Sequence, residues 1–393
     1  MLLIKNGKLL TMEGKDFDGA SVLVEGGKIT AIGEKLKAPK GAQVIDAGGK
    51  WVLPGLVDAH THLGVFGHGL RWEGSDANET TDAVTPHLRT LDAINVFDKT
   101  FADTLAAGVT TVGVSPGSAN VICGQIAAIK VGGAKRVDSL VIGAPIAMKC
   151  ALGENPKNAH GQSKKSAPLT RMSTAAIFRE AFLKARQYLD KKEKAEGGKL
   201  PDFDMKHEAL IPLLKREIPA HIHAHRADDI HTAIRLLREF GLAGVIVHCS
   251  EGHLIADDLL EAGFAALIGP TMGHAGKPET ANKSFETAGM LNKKGVKIAI
   301  TTDHPVIPLE HLNMCASLAV KAGMDETEAL KAITIYPAEI MGLGGRIGSL
   351  KVGKDADISV WDKNPIDATS RAVCTVVNGK VEHMAESRGS AAK

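Results

Sequence analysis

Aromatic residues are scarce in this chain: three Trp, two Tyr and ten Phe among 393 positions, 4% of the total. A chain this poor in stacking surfaces has little with which to hold bases, and a formal charge of +2 gives no broad basic field for a phosphate backbone. Nucleic acid is therefore excluded as an expected partner. Cysteine is sparse too. Cys123, Cys150, Cys249, Cys315 and Cys374 form an odd set without C-x-x-C spacing, as expected of reduced, mostly buried thiols and not of a disulfide framework or a structural zinc finger. Long apolar runs are missing as well. The first, Met1-Leu2-Leu3-Ile4, is broken by Lys5, Asn6 and Gly7, too short for a signal-peptide core or a membrane span, so a cytoplasmic protein without a membrane partner is expected. No internal repeat is present.

What remains is ordinary globular usage, 44% apolar and 23% charged, in a chain long enough for one large barrel and a small companion. The first fifty residues alternate short β-rich runs with turns (Asn6-Gly7, Gly26-Gly27, Gly48-Gly49), and the same texture returns after Gly344, ending in the hairpin signal Asn378-Gly379. The two ends read as one discontinuous β-sandwich over 1–54 and 346–385. Between them, over 55–345, apolar strands alternate with helical stretches: Val109 to Val114, Leu140 to Ala147, Ile218 to His223, Gly244 to His248, Ala265 to Ile268 and Val296 to Ile300. That alternation predicts parallel strands with right-handed crossovers, and a count near eight suits a closed TIM-type (β/α)8 barrel. Ser173 to Glu196 reads as a packed helix with a charged exit, and 386–393 as a disordered tail.

Strand ends carry the chemistry of such a barrel. The apolar run Trp51-Val52-Leu53-Pro54-Gly55-Leu56-Val57 leads into Asp58-Ala59-His60-Thr61-His62. Successive strand side chains point to opposite faces, so His60 and His62 point the same way and can grip one ion. Other apolar runs terminate in His221-Ile222-His223-Ala224-His225-Arg226, in His248 and in Asp303. Any one of these could be a satisfied structural residue. Four strands ending in imidazoles and a carboxylate point to a shared divalent ion.

These residues resemble the metal-dependent amidohydrolase superfamily, specifically its imidazolonepropionase-like and prolidase-like branch. The likeness covers nearly the whole chain, from Gly55-Leu56-Val57-Asp58-Ala59-His60-Thr61-His62 through Gly108-Val109-Thr110-Thr111 to Gly348-Ser349-Leu350-Lys351-Val352-Gly353-Lys354-Asp355-Ala356-Asp357. The resemblance implies two divalent ions, zinc first with manganese, iron or cobalt as alternatives. His60, His62 and Asp303 would hold one ion, His223 and His248 the other. It also implies an anionic bridge, for which Met148-Lys149-Cys150-Ala151-Leu152-Gly153-Glu154 offers two candidates: a carboxylated Lys149, or Glu154, which is preferred because a carboxylate needs no modification.

His225 is expected to contact substrate or to support a ligand, with a one-pleat slip toward His221 or His225 left open. Arg226 stands where the mononuclear deaminases of the superfamily carry a proton-shuttling glutamate. If it faces the site it suits a substrate carboxylate; otherwise it forms a surface pair with Asp228 or Asp229. The loops Ser115-Pro116-Gly117-Ser118-Ala119-Asn120 and Gly269-Pro270-Thr271-Met272-Gly273-His274 resemble substrate-facing loops, and His253, His274 and His304 lie close enough to strand ends to touch substrate. Two ions would activate a shared water to hydroxide, with Asp303 passing its proton to the leaving nitrogen. The implied activity is hydrolysis of an amide C–N bond in a small molecule: a dipeptide, an N-acyl amino acid or a cyclic amide such as an imidazolone. A hydrolytic deaminase is the alternative and a non-catalytic scaffold the third reading. A homo-oligomer is the expected assembly.

Overall fold

The computed structural model describes residues 1–195 and 200–386, so Glu196 and the tail beyond Glu386 lie outside the described residues. Sixteen strands sort into two sheets among them. The first draws on both chain ends: β1 (Leu2–Leu9), β2 (Phe17–Glu25), β3 (Lys28–Gly33), β4 (Gln43–Asp46) and β5 (Trp51–Pro54) from one. The second sheet holds β6 (Leu56–Thr61), β7 (Val109–Val114), β8 (Ile122–Lys130), β9 (Val141–Ala151), β10 (Ala220–Ala224), β11 (Gly244–His248), β12 (Ala265–Ile268) and β13 (Ile298–Ile300). The chain then returns to the first sheet as β14 (Ile358–Trp361), β15 (Ala372–Val377) and β16 (Lys380–Met384).

The ends are knit together where β14 pairs antiparallel with β5, Val360 opposite Val52. The sheet is mixed, since β1 pairs in parallel with both β4 and β5. Its core mixes residues from both ends, with Ile4, Val22 and Val52 against Ile358, Val360 and Val376. A buried polar cluster ties it to the barrel: Lys130 on β8 pairs with Asp355 and Asp357 of the late glycine-rich motif, and Asp355 also takes Lys28 and Arg346.

The second sheet forms a TIM-type barrel. Strands β6, β7 and β13 are buried along their whole length, as strands covered on both faces must be. Outer helices follow the 3.6-residue period: in Ala227–Phe240, Ile230, Ala233, Ile234 and Leu237 face inward, and Gly241 stops the helix in the left-handed region at φ 65°.

One strand departs from the all-parallel expectation. β8 runs antiparallel to both β7 and β9. The connecting segments 115–121 and 131–140 hold no crossover helix, and a parallel return needs about a dozen residues or more. The chain therefore doubles back, which puts the Ser115 loop at the barrel mouth.

The seam between the first and last barrel strands is closed by a side chain. Asp58 on β6 accepts from Thr301 Oγ1 at 2.6 Å, Thr302 N at 2.8 Å, Thr302 Oγ1 at 2.7 Å and His60 N at 3.0 Å. His62 N donates to His304 O at 2.8 Å just beyond. Among the described residues no helix is long and apolar enough to cross a membrane, and all five cysteines are buried and unpaired.

Candidate metal centre

Two clusters of donor atoms face each other at the C-terminal mouth of the barrel: His60, His62 and Asp303, and His223, His225 and His248. In the first, Asp303 Oδ1 lies 3.3 Å from Nε2 of both His60 and His62. In the second, the ring centroids form a nearly equilateral triangle, with His223 4.7 Å from His225 and 4.5 Å from His248, and His225 stacked on His248 at 4.5 Å. The rings of His60 and His248 meet edge to face at 5.4 Å.

Hydrogen bonds on the far side of the rings fix which nitrogen faces inward. His62 Nδ1 donates to Ser115 O and His248 Nδ1 to Gly269 O, both at 2.7 Å. A carbonyl can only accept, so the proton sits on Nδ1 and the Nε2 lone pair is left for an ion. His225 Nδ1 meets Ser250 Oγ at 2.7 Å, a hydroxyl that can donate or accept. Burial drives the imidazoles toward the neutral, ligating form: His60 is pushed down to about 3 by burial and by the neighbouring Lys149, His225 down to about 4, and His223 and His248 well below the usual histidine range. For Asp303, burial alone raises the carboxyl, but His248, His60 and His62 outweigh it and hold it well below the usual carboxylate range.

The backbone at these positions is unusual. His248, Cys249 and Asp303 sit at φ 73°, 46° and 55°, in the left-handed region that non-glycine residues seldom enter. Strain at two strand ends, His248 closing β11 and Asp303 following β13, is a signature of a functional site. The donor set, imidazoles with one carboxylate and inward lone pairs, fits a divalent cation.

The two candidate bridges are treated differently by the fold. Lys149 lies within β9, in register with His221 on β10 and therefore on the inward face. It is fully buried, with Nζ 3.0 Å from His60 Nε2, and burial lowers its pKa to about 8. Glu154 comes after the turn at Gly153, heads a short helical turn and is half-buried. Its backbone N donates to Glu279 Oε2 at 3.0 Å. The geometry brings Lys149, and not the preferred Glu154, against the first cluster, because β9 runs on to Ala151 and presents Lys149 inside the barrel.

Other expectations divide similarly. His225 stands with the ring cluster, closer to a ligand position than to a purely supporting one. His221 lies deeper in the barrel with both ring nitrogens buried and without protein partners. Arg226 turns away: its guanidinium makes two 2.9 Å bonds to Asp228 at the surface, the second of its two expected placements. Arg226→Ala is accordingly expected to change stability by less than about 1 kcal/mol and to leave kcat/KM as it was, measured by thermal melts and steady-state kinetics. His274 is exposed on its loop. The ring of His304 is committed to the chain, with Nδ1 accepting from Leu309 N at 3.3 Å. His253 Nδ1 meets Thr287 Oγ1 at 2.9 Å.

Of two further residues at the mouth, sequence reading missed Glu279 and reached Lys277 only as a residue that follows the loop 269–274, expected to face substrate. Glu279, on a short turn Pro278–Thr280 after β12, is 1% exposed, with Oε1 3.2 Å from His223 Nε2 and 3.7 Å from His225 Nε2. Lys277 lies half-exposed beside it, its Nζ 3.7 Å from Glu279 and 2.9 Å from Asn155 Oδ1.

Residues 51–385 match the family model described as the amidohydrolase family. The amidohydrolase tasK of Hapsidospora irregularis is 30% identical over 92% of this chain, which spans only 39% of that longer protein. An imidazolonepropionase of Paracoccus denitrificans is 27% identical over 94% of this chain and 96% of its own length. A crystal structure of an amidohydrolase from Thermotoga maritima superposes with a TM-score of 0.95 at 41% identity, covering 98% of this chain and all of that one.

Proposed function

This chain belongs to the amidohydrolase family and is a hydrolase acting on C–N bonds, and from that premise we propose that it uses two divalent ions to cleave the amide bond of a small, carboxylate-bearing substrate. The observation that carries the reading is the pair of facing donor clusters with Lys149 buried against the first. His60, His62 and Asp303 would hold one ion and His223 and His248 the other, with Lys149, as its carbamate, the bridge. A pKa near 8 leaves part of Lys149 as free amine at neutral pH, the form that takes up carbon dioxide. Bound in this way, the ions would supply hydroxide at neutral pH and polarise the scissile carbonyl.

The remaining work falls to the chain's own side chains. Asp303, ionised and buried, takes the proton of the attacking water at a carboxylate oxygen and delivers it to the leaving nitrogen. Lys277, at the rim above Glu279 and Asn155, supplies the cation that Arg226 does not, and its ammonium suits a substrate carboxylate. Dipeptides and N-acyl amino acids carry such a group, as does an imidazolone that bears an acid side chain. Zinc is the preferred ion for this imidazole-rich set.

Two measurements test the proposal. A library of dipeptides, N-acyl amino acids and cyclic amides is offered to zinc- and manganese-loaded protein; amide turnover supports the reading, while ammonia release from amino-substituted heterocycles alone would favour deamination. Replacing His60 and His62 together by Asn is expected to remove at least one metal equivalent by elemental analysis, and unchanged metal content would overturn the ligand assignment.

A further inference from the structure

Glu279 poses a problem that its protein neighbours do not solve. Its carboxylate is 1% exposed, and a buried carboxylate needs compensation by positive charge. The nearest cation, Lys277, stands 3.7 Å off and is itself half-exposed and hydrogen-bonded to Asn155. The closer neighbours are imidazoles: His223 Nε2 at 3.2 Å and His225 Nε2 at 3.7 Å.

Those spacings match the other half of the site. Donor atoms sharing one ion tetrahedrally, at bond lengths of about 2.0–2.2 Å, lie roughly 3.4 Å apart. Asp303 Oδ1 sits 3.3 Å from the two imidazoles of its cluster, and Glu279 Oε1 repeats that relation in the second. The fold makes room for it. Gly153 is at φ 75°, and a Cβ there would come within 2.7 Å of Glu279 Oε2, so the carboxylate approaches through a gap that only glycine leaves. Glu154 N holds the outer oxygen at 3.0 Å, which leaves Oε1 turned toward the histidines.

We propose that the second ion draws on the Glu279 carboxylate together with His223 and His225, the two imidazoles it faces, so that each half of the centre carries its own anionic ligand. The inference rests on the two-ion reading and adds His225 and Glu279 to it. It gives the loop after β12 a direct part in metal binding.

The test is metal titration of chelator-stripped protein with Zn2+, and with Co2+ followed by its visible absorption. Wild-type protein should bind two equivalents. Glu279→Gln should keep one and bind the other roughly 10- to 100-fold more weakly or worse, with the Co2+ spectrum of that equivalent altered; Glu279→Asp, which keeps the charge, should fall between. The equivalent that survives in Glu279→Gln should be the one lost when His60 and His62 are replaced. A second readout separates ligation from mere packing. Metal-free Glu279→Gln should melt no lower than metal-free wild type, because removing an uncompensated buried charge offsets the lost contacts, yet it should gain less than wild type when Zn2+ is added. Two equivalents with wild-type affinities in Glu279→Gln would overturn the proposal while leaving the two-ion reading intact. A single equivalent in wild-type protein would overturn both.

Discussion

Asp303→Asn is expected to lower kcat by roughly 100- to 10,000-fold, the range typical of a lost general acid-base group, with KM little changed. The two side chains have nearly the same shape, so the hydrogen-bonded loop around Asp303 should persist. What is lost is the ability to accept a proton. Asp303 reaches both His60 and His62 at 3.3 Å, and those imidazoles with His248 hold it ionised despite complete burial. An amide in its place can still offer an oxygen toward the ion but cannot carry a proton from water to the leaving nitrogen. Steady-state kinetics on the best substrate of the library, paired with metal analysis, checks both halves of the expectation. A variant that retains metal and wild-type kcat would show that another group moves the proton.

Asp58→Ala is expected to destabilise the protein by about 3–5 kcal/mol, the range for breaking a buried charged network. No strand ladder joins β13 to β6 among the described residues, and Asp58 spans that seam with three hydrogen bonds, from Thr301 Oγ1, Thr302 N and Thr302 Oγ1, while also accepting from His60 N on its own strand. Burial pushes its carboxyl up to about 6, even with Thr301, Thr302 and His60 N pulling it down. At neutral pH it is therefore mainly ionised and the bonds are charge-assisted. Alanine leaves the backbone N–H groups of His60 and Thr302 buried without acceptors. His60 belongs to the first cluster and Thr302 directly precedes Asp303, so metal affinity should fall together with the denaturant midpoint. An unfolding free energy within about 1 kcal/mol of wild type would mean that the segment at Ala332 and Ile333, which bonds Ile300 and Val57, closes the seam by itself.

Particular residues show where sequence reading succeeds. His60 and His62 were legible because strand periodicity forces i and i+2 to one face, and His223, His248 and Asp303 because each ends an apolar run. Seven apolar strands could be recognised by composition in the same way. β8 was not, because Ile122-Cys123-Gly124-Gln125-Ile126 follows its predecessor without an intervening helix; the short connection at 115–121 was the available signal for an antiparallel return.

Lys149 and Glu154 mark the limit of local reasoning. Both follow an apolar run, and the choice between them turns on where β9 stops and on its register with β10, which places Lys149 beside His221. Arg226 follows His225 directly in sequence, but the strand ends at Ala224 and the chain turns into a helix whose Asp228 captures the guanidinium. Glu279 lies on an irregular loop without periodicity, and only the approach of that loop to Gly153 buries it.

The sequence by itself determined the barrel with its companion sheet and the strand-end histidines and aspartate of the two clusters, because side-chain alternation and apolar patterning act over a few residues and need no knowledge of the rest. Tertiary structure alone decided that Lys149 lies against His60, that Arg226 turns away to Asp228, and that Glu279 meets His223. Those outcomes depend on register between strands and on the approach of loops distant in sequence, where the energy of burying a charge beside its partners is settled.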